Sequence, residues 1–200
     1  MPGYAACEPR TSPVLTGSEQ AVKILIAGPF SVGKTTLVGS VSEIKPLTTE
    51  EVMTSAGVGV DNTDHLDKTT TTVAMDFGRV SLSKRLVLYL FGAPGQPRFY
   101  PVLEDLSRGA LGALVLADTR SLDKTYPILQ LVEDLGLPYI VAVNTFDDAP
   151  AHDPGRLRHV MDLEAGTPLV MCDARDRRSS VTALTTLVEH LLTLTREPAR

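Results

Sequence analysis

The stretch from Gly28 to Thr35, read GPFSVGKT, constrains the fold of this chain more than any other feature. It fits the pattern G-x-x-x-x-G-K-[ST], in which a loop between a strand and a helix curls its backbone N–H groups around a polyphosphate. The β-branched run VKILI precedes it, and a helical pattern follows over about residues 35–42. The sequence therefore predicts a phosphate-binding loop with both of the flanking elements that such a loop needs.

Each residue type in this loop has a chemical reason for its place. Gly28 and Gly33 permit tight backbone turns, and Lys34 supplies a point charge to the terminal phosphates. The hydroxyl of Thr35 is a hard oxygen ligand of the kind that Mg²⁺ prefers. The remaining predicted nucleotide contacts in the loop are Ser31, Val32 and Thr36.

Length and composition indicate one α/β domain and exclude several function classes. The chain has 200 residues and a formal net charge of −5, which argues against coating nucleic acid through a general basic field. Its two cysteines, Cys7 and Cys172, form neither a metal-binding spacing nor a disulfide framework, so a reducing cytoplasm is expected. With no apolar run of transmembrane length and no signal or lipidation motif, we expect membrane contact only through a partner.

The pattern along the chain predicts a disordered tail over residues 1–20 and a single domain over 21–200. Strands and helices alternate, which predicts a six-stranded, mostly parallel sheet with helices on both faces. The predicted strands are 22–27, 72–80, 85–91, 110–117, 139–143 and 169–171. The polar turn at 81–84 is short enough to make the second and third strands an antiparallel hairpin. The long stretch 43–70 is expected to be a functional or disordered loop.

The last helix of the pattern and the segment before it carry two smaller predictions. Ser179 or Ser180 is expected to cap the helix, whose apolar stripe is core packing. The basic cluster at Arg175, Arg177 and Arg178 is expected to be a solvated loop.

Two further segments could serve the phosphate side of the site: one leads into the second predicted strand, and the other follows the third. The threonine run at 69–72 could bring a hydroxyl to Mg²⁺ and sense the γ-phosphate, or its β-branched residues could simply favour extended backbone. In the loop GAPGQPR, Gly95 could donate its N–H to a γ-phosphate and Gln96 could orient an attacking water. Arg98 could add a positive charge there, although it could equally be an ordinary surface arginine.

The third loop, Asn144-Thr145-Phe146-Asp147, follows a strand near the base side of the site. A carboxylate at Asp147 can accept two hydrogen bonds from guanine, from the ring N–H and the exocyclic amine, which adenine does not offer in that arrangement. Asn144 could tie this loop to the phosphate loop. The alternative interpretation is an ordinary Asx-rich loop cap.

Taken in this order, the motifs make residues 21–195 resemble the Ras-like small GTPases. TVAMDF at Thr72–Phe77 resembles a switch I strand, which implies that Thr72 is the switch threonine and a second Mg²⁺ ligand beside Thr35. GQPRF at Gly95–Phe99 looks like switch II. CDAR at residues 172–175 is similar to the S-A-K loop, which implies that the N–H of Ala174 touches the guanine carbonyl.

The resemblance implies a small G-protein domain that binds GTP or GDP with Mg²⁺. Switch I would span about 43–72 and switch II about 92–100, and the catalytic residues would be Gln96, Lys34 and Arg98. Three positions depart from the family pattern: Gly92 stands where switch II usually begins with Asp, Thr145 replaces the lysine of N-K-x-D, and Phe30 stands in the phosphate loop.

A switch II without the Asp but with P-G-Q resembles a prokaryotic branch, the Mgl-type polarity GTPases and the actinomycete conservon GTPases. That branch implies Roadblock/LC7-type regulatory partners and other effectors that bind the switches. The departures predict slow intrinsic hydrolysis stimulated by a partner. Two other functions remain open. One is a pseudo-GTPase that binds nucleotide without turnover. The other is a P-loop ATPase or kinase, which the relative affinities for GDP and ADP would distinguish from a GTPase.

Overall fold

The computed structural model describes residues 19–49, 75–150 and 152–196, and within them seven strands form one sheet in the order β2-β3-β4-β1-β5-β6-β7. The β2–β3 and β3–β4 pairs are antiparallel, whereas the pairs that join β4, β1, β5, β6 and β7 are parallel. The strands are β1 (Gln20–Ala27), β2 (Leu47–Thr49), β3 (Met75–Ser83), β4 (Leu86–Gly92), β5 (Gly112–Asp118), β6 (Tyr139–Asn144) and β7 (Leu169–Cys172).

The six expected strands and the β3–β4 hairpin are confirmed, and one strand was missed. The three residues Leu47–Thr49 lie in the stretch that the sequence assigned to a loop, and they pair with Met75–Phe77 at the sheet edge. A strand this short carries too little periodicity to be recognised before its partner is known. Most of the expected tail and of the long loop, together with Thr72, falls outside the described residues.

Helices cover both faces of the sheet, as expected. They are α1 (Lys34–Val41), α2 (Tyr100–Ser107), α3 (Tyr126–Asp134), α4 (Pro154–Val160) and α5 (Arg177–Arg196). Alternate residues of β1 face opposite layers: Ile24 and Ile26 pack with α1 and α5, whereas Leu25 and Ala27 pack with α2, α3 and α4. Every residue of β5 and β6 is buried, which places these strands at the centre of the core. None of the helices in the described ranges is long and apolar enough to cross a membrane.

Two helix starts show what the sequence could and could not locate. Asp153 caps α4, since its carboxylate accepts from the N–H of Arg156 at 2.9 Å, and an Asp directly before Pro154 is a helix start that the local sequence indicates. The cap of α5 was predicted wrongly: Asp176, not Ser179 or Ser180, accepts from the N–H groups at the helix start. Ser179 is instead used by the preceding loop, because its hydroxyl accepts from the N–H of Asp173 at 2.9 Å.

The parallel strands carry their carboxyl ends to one edge of the sheet, and the loops that follow them meet there. The phosphate loop follows β1, residues 93–96 follow β4, and residues 119–121 follow β5. Residues 145–148 follow β6, and residues 173–176 follow β7. The fold thus brings all the predicted loops of the described residues to one site.

Candidate nucleotide-binding site

The phosphate loop has the backbone of a tightly curled turn between β1 and α1. Gly28 has φ 143° and Gly33 has φ 104°, and Ser31 also lies in the left-handed region with φ 66°. A left-handed serine costs free energy, on the order of 1–3 kcal/mol, and such strain persists at sites where the surrounding structure enforces it. A Cβ on Gly33 would lie 2.6 Å from the amide nitrogen of Asn144, so glycine is needed there for packing as well.

Lys34 begins α1 with its side chain folded back over the loop. Its ammonium donates to the carbonyl oxygens of Gly28 at 2.8 Å and Pro29 at 2.6 Å. The residue is 9% exposed, and burial lowers the pKa of Lys34 to about 8, against the opposing charge of Asp76. A buried ammonium at the loop is thus placed to meet a negative group, which would restore its usual pKa.

Side-chain exposure divides the other residues of the loop. The side chains of Ser31, Thr35 and Thr36 are exposed and lie open to a ligand. Val32 is buried in the core, and its backbone carbonyl accepts a hydrogen bond from the side chain of Asn144.

Asp76 of β3 is the functional candidate that the sequence analysis missed. Its carboxylate accepts a hydrogen bond from the hydroxyl of Thr35 at 2.6 Å, and the residue is only 3% exposed. Asp76 is paired in register with Gly92 of β4, and a Cβ on Gly92 would lie 3.0 Å from its Cβ. A carboxylate is therefore present across the hairpin from the glycine at which the family pattern has its Asp.

This carboxylate adds a candidate to the predicted metal ligands Thr35 and Thr72, of which Thr72 lies outside the described residues. A hydroxyl beside a carboxylate is a hard oxygen pair, and Mg²⁺ is usually bound by one or two carboxylates together with substrate phosphates. The pair Thr35 and Asp76 therefore fits Mg²⁺. In the described residues no group of three or more His, Cys, Asp or Glu side chains could hold a metal without such phosphates.

The loop after β4 lies directly on the phosphate loop. A Cβ on Gly95 would lie 2.5 Å from the carbonyl oxygen of Gly28, so the close approach requires glycine. Gln96 is half-buried just before the short 3₁₀ turn Pro97–Phe99. The structure thus brings Gly95 to the phosphate loop, while its hydrogen bond to a γ-phosphate and the role of Gln96 stay predictions.

Two other residues expected near the γ-phosphate face solvent. Phe30 is 69% exposed, so most of its side chain faces solvent. Arg98 is exposed, with its guanidinium carbon 4.8 Å from the ring centroid of Phe99. Its predicted charge contribution at the site stays a prediction.

Asn144, at the end of β6, ties its own loop to the phosphate loop, as the sequence predicted, and also joins both to the loop after β7. Its amide nitrogen donates to the carbonyl of Val32 at 2.9 Å, and its amide oxygen accepts from the N–H of Ala174 at 3.0 Å. The residue is 4% exposed, so the bridge is buried. Since Asn144 takes the N–H of Ala174 in this structure, the predicted contact of that N–H with a base stays a prediction.

Asp147 is exposed in the loop after β6 and is held by an arginine. Its two carboxylate oxygens accept from the Nη1 and Nη2 atoms of Arg175 at 2.9 and 3.0 Å. Arg175 also donates to both oxygens of Asp173, at 3.0 Å each. Hydrogen bonds from Arg175, and its charge, hold the pKa of Asp147 below the ordinary value.

The basic cluster is exposed to solvent as expected, but Arg177 and Arg178 belong to α5 and not to a loop, and two of its arginines have defined partners. Arg175 joins two carboxylates, and Arg177 donates to the carbonyls of Ser40 at 3.2 Å and Val41 at 2.7 Å, at the end of α1. Arginine forks are preorganised for such contacts, but composition alone does not show which acceptors will face them.

Arg120 supports the loop after β6 as well, and no sequence pattern pointed to it. Its guanidinium donates to Asp118 at 2.8 Å and to Asp148 at 2.6 Å, and it lies 3.6 Å from the ring centroid of Phe146. Burial raises the pKa of Asp118, but the hydrogen bonds and charge of Arg120 outweigh this and hold it below the ordinary value. The loop that carries Asp147 is thereby attached to the end of β5.

Comparison with known proteins gives a family by sequence and a fold by structure. A family described as "Conserved hypothetical ATP binding protein" matches residues 26–194. No curated protein sequence matches the chain significantly.

The similar solved structures are G domains, at low sequence identity. The G domain of the T. maritima FeoB iron transporter is 20% identical, with a TM-score of 0.58 over 88% of this chain and 100% of that one. The FeoB G-domain from Methanococcus jannaschii is 12% identical, with a TM-score of 0.60 over 86% and 99%. Translation elongation factor SelB from Methanococcus maripaludis, in complex with the GTP analogue GppNHp, is 18% identical, with a TM-score of 0.63 over 92% of this chain and 36% of that one. The chain therefore has the fold of a P-loop G domain.

Proposed function

This chain belongs to the family of conserved hypothetical ATP binding proteins, and we propose that it binds GTP and GDP with Mg²⁺ and acts as a molecular switch. The observation that carries the proposal is the bridge made by Asn144 between the phosphate loop and the loop of Ala174. This bridge fixes the phosphate loop relative to the loops that carry Asp147 and Ala174. One nucleotide lying along this edge would have its phosphates at Lys34 and its base at Asp147.

The acceptor at the base side favours guanine over adenine. A carboxylate accepts from two adjacent donors, and guanine presents its ring N–H and exocyclic amine side by side. The bidentate pairing of Asp147 with Arg175 supports this, because it demonstrates that both oxygens can accept two parallel donors at 2.9 and 3.0 Å.

ATP is the second candidate, because the description of the family names it. We would measure the affinities of the native protein for GDP, ADP and xanthosine diphosphate, and repeat them with Asp147→Asn. Guanine recognition predicts that GDP binds far tighter than ADP, and that Asp147→Asn weakens GDP about 100-fold while favouring the xanthine nucleotide. Equal affinity for GDP and ADP, unchanged in the variant, would favour the ATP-binding alternative.

The chemistry at the phosphates would come from few residues. Thr35 and Asp76 would hold Mg²⁺, which when bound offsets negative charge on the phosphates. Lys34 would bind the terminal phosphates, and Gln96 would orient the attacking water, with Arg98 as an additional charge. We propose that hydrolysis is slow without a partner, because Arg98 is exposed and directed to Phe99, and Gln96 is only half-buried.

The switch would act through the loops around the γ-phosphate, residues 43–72 and 92–100. The close approach of Gly95 to the phosphate loop supports this, because a γ-phosphate placed there would alter the position of the second loop. A Roadblock/LC7-type regulatory protein is the proposed partner, as in the Mgl-type and conservon-type GTPases that the chain resembles. We propose a cytoplasmic location with recruitment to a membrane through such a partner.

Turnover tests this part of the proposal separately from binding. GTP hydrolysis would be followed with and without a Roadblock/LC7-type protein, comparing the native chain with Gln96→Leu. We expect slow turnover that the partner accelerates and that Gln96→Leu abolishes. A protein that binds GTP but hydrolyses none under either condition would be a pseudo-GTPase, a binding module without turnover.

A further inference from the structure

We propose that Arg175 occupies the base-reading carboxylate of the nucleotide-free protein and competes with guanine for it. The inference rests on the proposed function, because it takes Asp147 as the residue that reads the base. Arg175 would then influence the affinity and the association rate of the nucleotide without itself holding the nucleotide.

The donor geometry of the arginine matches that of the proposed ligand. The Nη1 and Nη2 atoms of Arg175 donate in parallel to Oδ2 and Oδ1 of Asp147, at 2.9 and 3.0 Å. Guanine would present two adjacent N–H donors to the same two oxygens. A carboxylate in this fork geometry is used by one planar partner at a time, so the guanidinium must leave before the base can bind.

A second carboxylate lowers the free energy that Arg175 needs to release Asp147. Arg175 donates its Nε to Oδ1 of Asp173 and its Nη2 to Oδ2 of Asp173, both at 3.0 Å. When Arg175 releases Asp147, it keeps this partner and is not left without an acceptor. The Asp147 side chain is 84% exposed and that of Arg175 56%, so the pair is solvent-screened and its loss is a small effect.

The position of Arg175 also explains why the exchange is local. Its own N–H donates to Asp173 at 2.9 Å, and the neighbouring Ala174 N–H is fixed by Asn144 at 3.0 Å. The backbone of this loop is therefore held, and the movement required is a rotation of one side chain.

Removing the competitor should make guanine nucleotides bind faster and tighter. We would measure association rates and affinities of a fluorescent GDP for the native protein, Arg175→Ala and Arg178→Ala. Arg178 is exposed in the first turn of α5, so its variant carries the same charge change without removing the Asp147 contact. We expect Arg175→Ala to raise the association rate and affinity about threefold over Arg178→Ala, and added salt to reduce the difference.

A double variant isolates the pair. In the background of Asp147→Asn, with xanthosine diphosphate as the probe, Arg175→Ala should have no effect, because an amide has one oxygen and no charge with which to hold the guanidinium. A purely structural role of Arg175 would persist in that background.

The outcomes separate this inference from the proposed function. If Arg175→Ala binds GDP no faster or tighter than Arg178→Ala, Arg175 does not compete, while guanine recognition by Asp147 stands. If Asp147→Asn leaves the preference for GDP unchanged, Asp147 does not read the base and this inference fails with that assignment, whereas guanine-nucleotide binding itself stands.

Discussion

The two ends of the candidate site are built in opposite ways. The phosphate end, formed by Gly28–Thr36 with Asp76 and Gly95, contains buried charges: Lys34 is 9% exposed and Asp76 3%. The base end, formed by Asp147, Asp173 and Arg175, is exposed, with the Asp147 side chain 84% accessible.

This difference in burial indicates which contacts should contribute most to binding and which side chains can exchange partners. When a buried charged group loses one of its few partners, water cannot take that partner's place, so the loss costs much free energy. An exposed ion pair gains little over hydration and can exchange partners readily. We therefore expect large effects from changes at the phosphate end and small effects at the base-end arginines, with Asp147 as the exception because it is the residue proposed to contact the base.

Lys34→Gln tests the phosphate end most severely. The variant removes the charge that would meet the phosphates, and charge-assisted hydrogen bonds contribute about 1.5–3 kcal/mol each. We expect GDP affinity to fall by about 100-fold or more, measured by titration calorimetry. Lys84→Gln, in the exposed turn between β3 and β4, is the matched control and should bind as the native protein does.

Asp76→Asn tests whether the missed carboxylate serves the metal. The amide keeps the shape and can still accept from Thr35, but it lacks the charge that favours Mg²⁺. We expect the Mg²⁺-dependent part of GTP affinity to fall by roughly 10- to 30-fold, measured by titrating Mg²⁺ at fixed GTP, while affinity in a chelator changes little.

An equal loss in chelator would show instead that Asp76 acts only by positioning Thr35. The double exchange Asp76→Gly with Gly92→Asp provides a further comparison, because it returns the carboxylate to the other strand of the same register pair. Partial recovery of the Mg²⁺ dependence is expected.

The lowered pKa of Lys34, about 8, predicts a pH dependence of binding. Burial disfavours the charged form in the free protein, whereas phosphates would favour it, so binding takes up a proton above pH 8. GDP affinity should fall about tenfold between pH 7 and pH 9. The control is Lys34→Arg, which stays charged throughout this range, so its pH profile shows only the titration of the ligand. If both proteins have the same pH profile, deprotonation of Lys34 is not the cause of the fall in affinity.

Arg120→Ala gives the smallest expected effect, at the support of the base loop. We expect a loss of about two- to threefold in GDP affinity, because Phe146 and Asp148 lose one shared partner.

The same variant also predicts a change in acid stability. The pKa of Asp118 lies below its ordinary value of 3.8, so the ion pair of Asp118 with Arg120 stabilises the fold fully above that value, and this stabilisation is lost as the pH falls through the lowered pKa. Urea unfolding at pH 7 and pH 3 should show a smaller acid-induced loss of stability in the variant than in the native chain.

The phosphate loop and the alternation of strands and helices were predictable from the sequence, because both depend on residues close together in the chain. Gly28, Gly33 and Lys34 act within one turn, and the run of apolar residues in β5 shows its burial without knowledge of its neighbours. Asn144 was also predictable, since it lies at the end of a buried strand, and that end must lie at the ligand edge of a parallel sheet.

Only the tertiary structure decided which charges meet. Thr35 and Asp76 are 41 positions apart, and the pairing of Asp76 with Gly92 depends on the register of an antiparallel hairpin. Asp147 and Arg175 are 28 positions apart and meet because β6 and β7 are neighbours in the sheet. Register and strand order depend on packing throughout the chain, so the sequence alone located the candidate phosphate loop, and the structure decided which carboxylates lie beside it and which face the proposed base site.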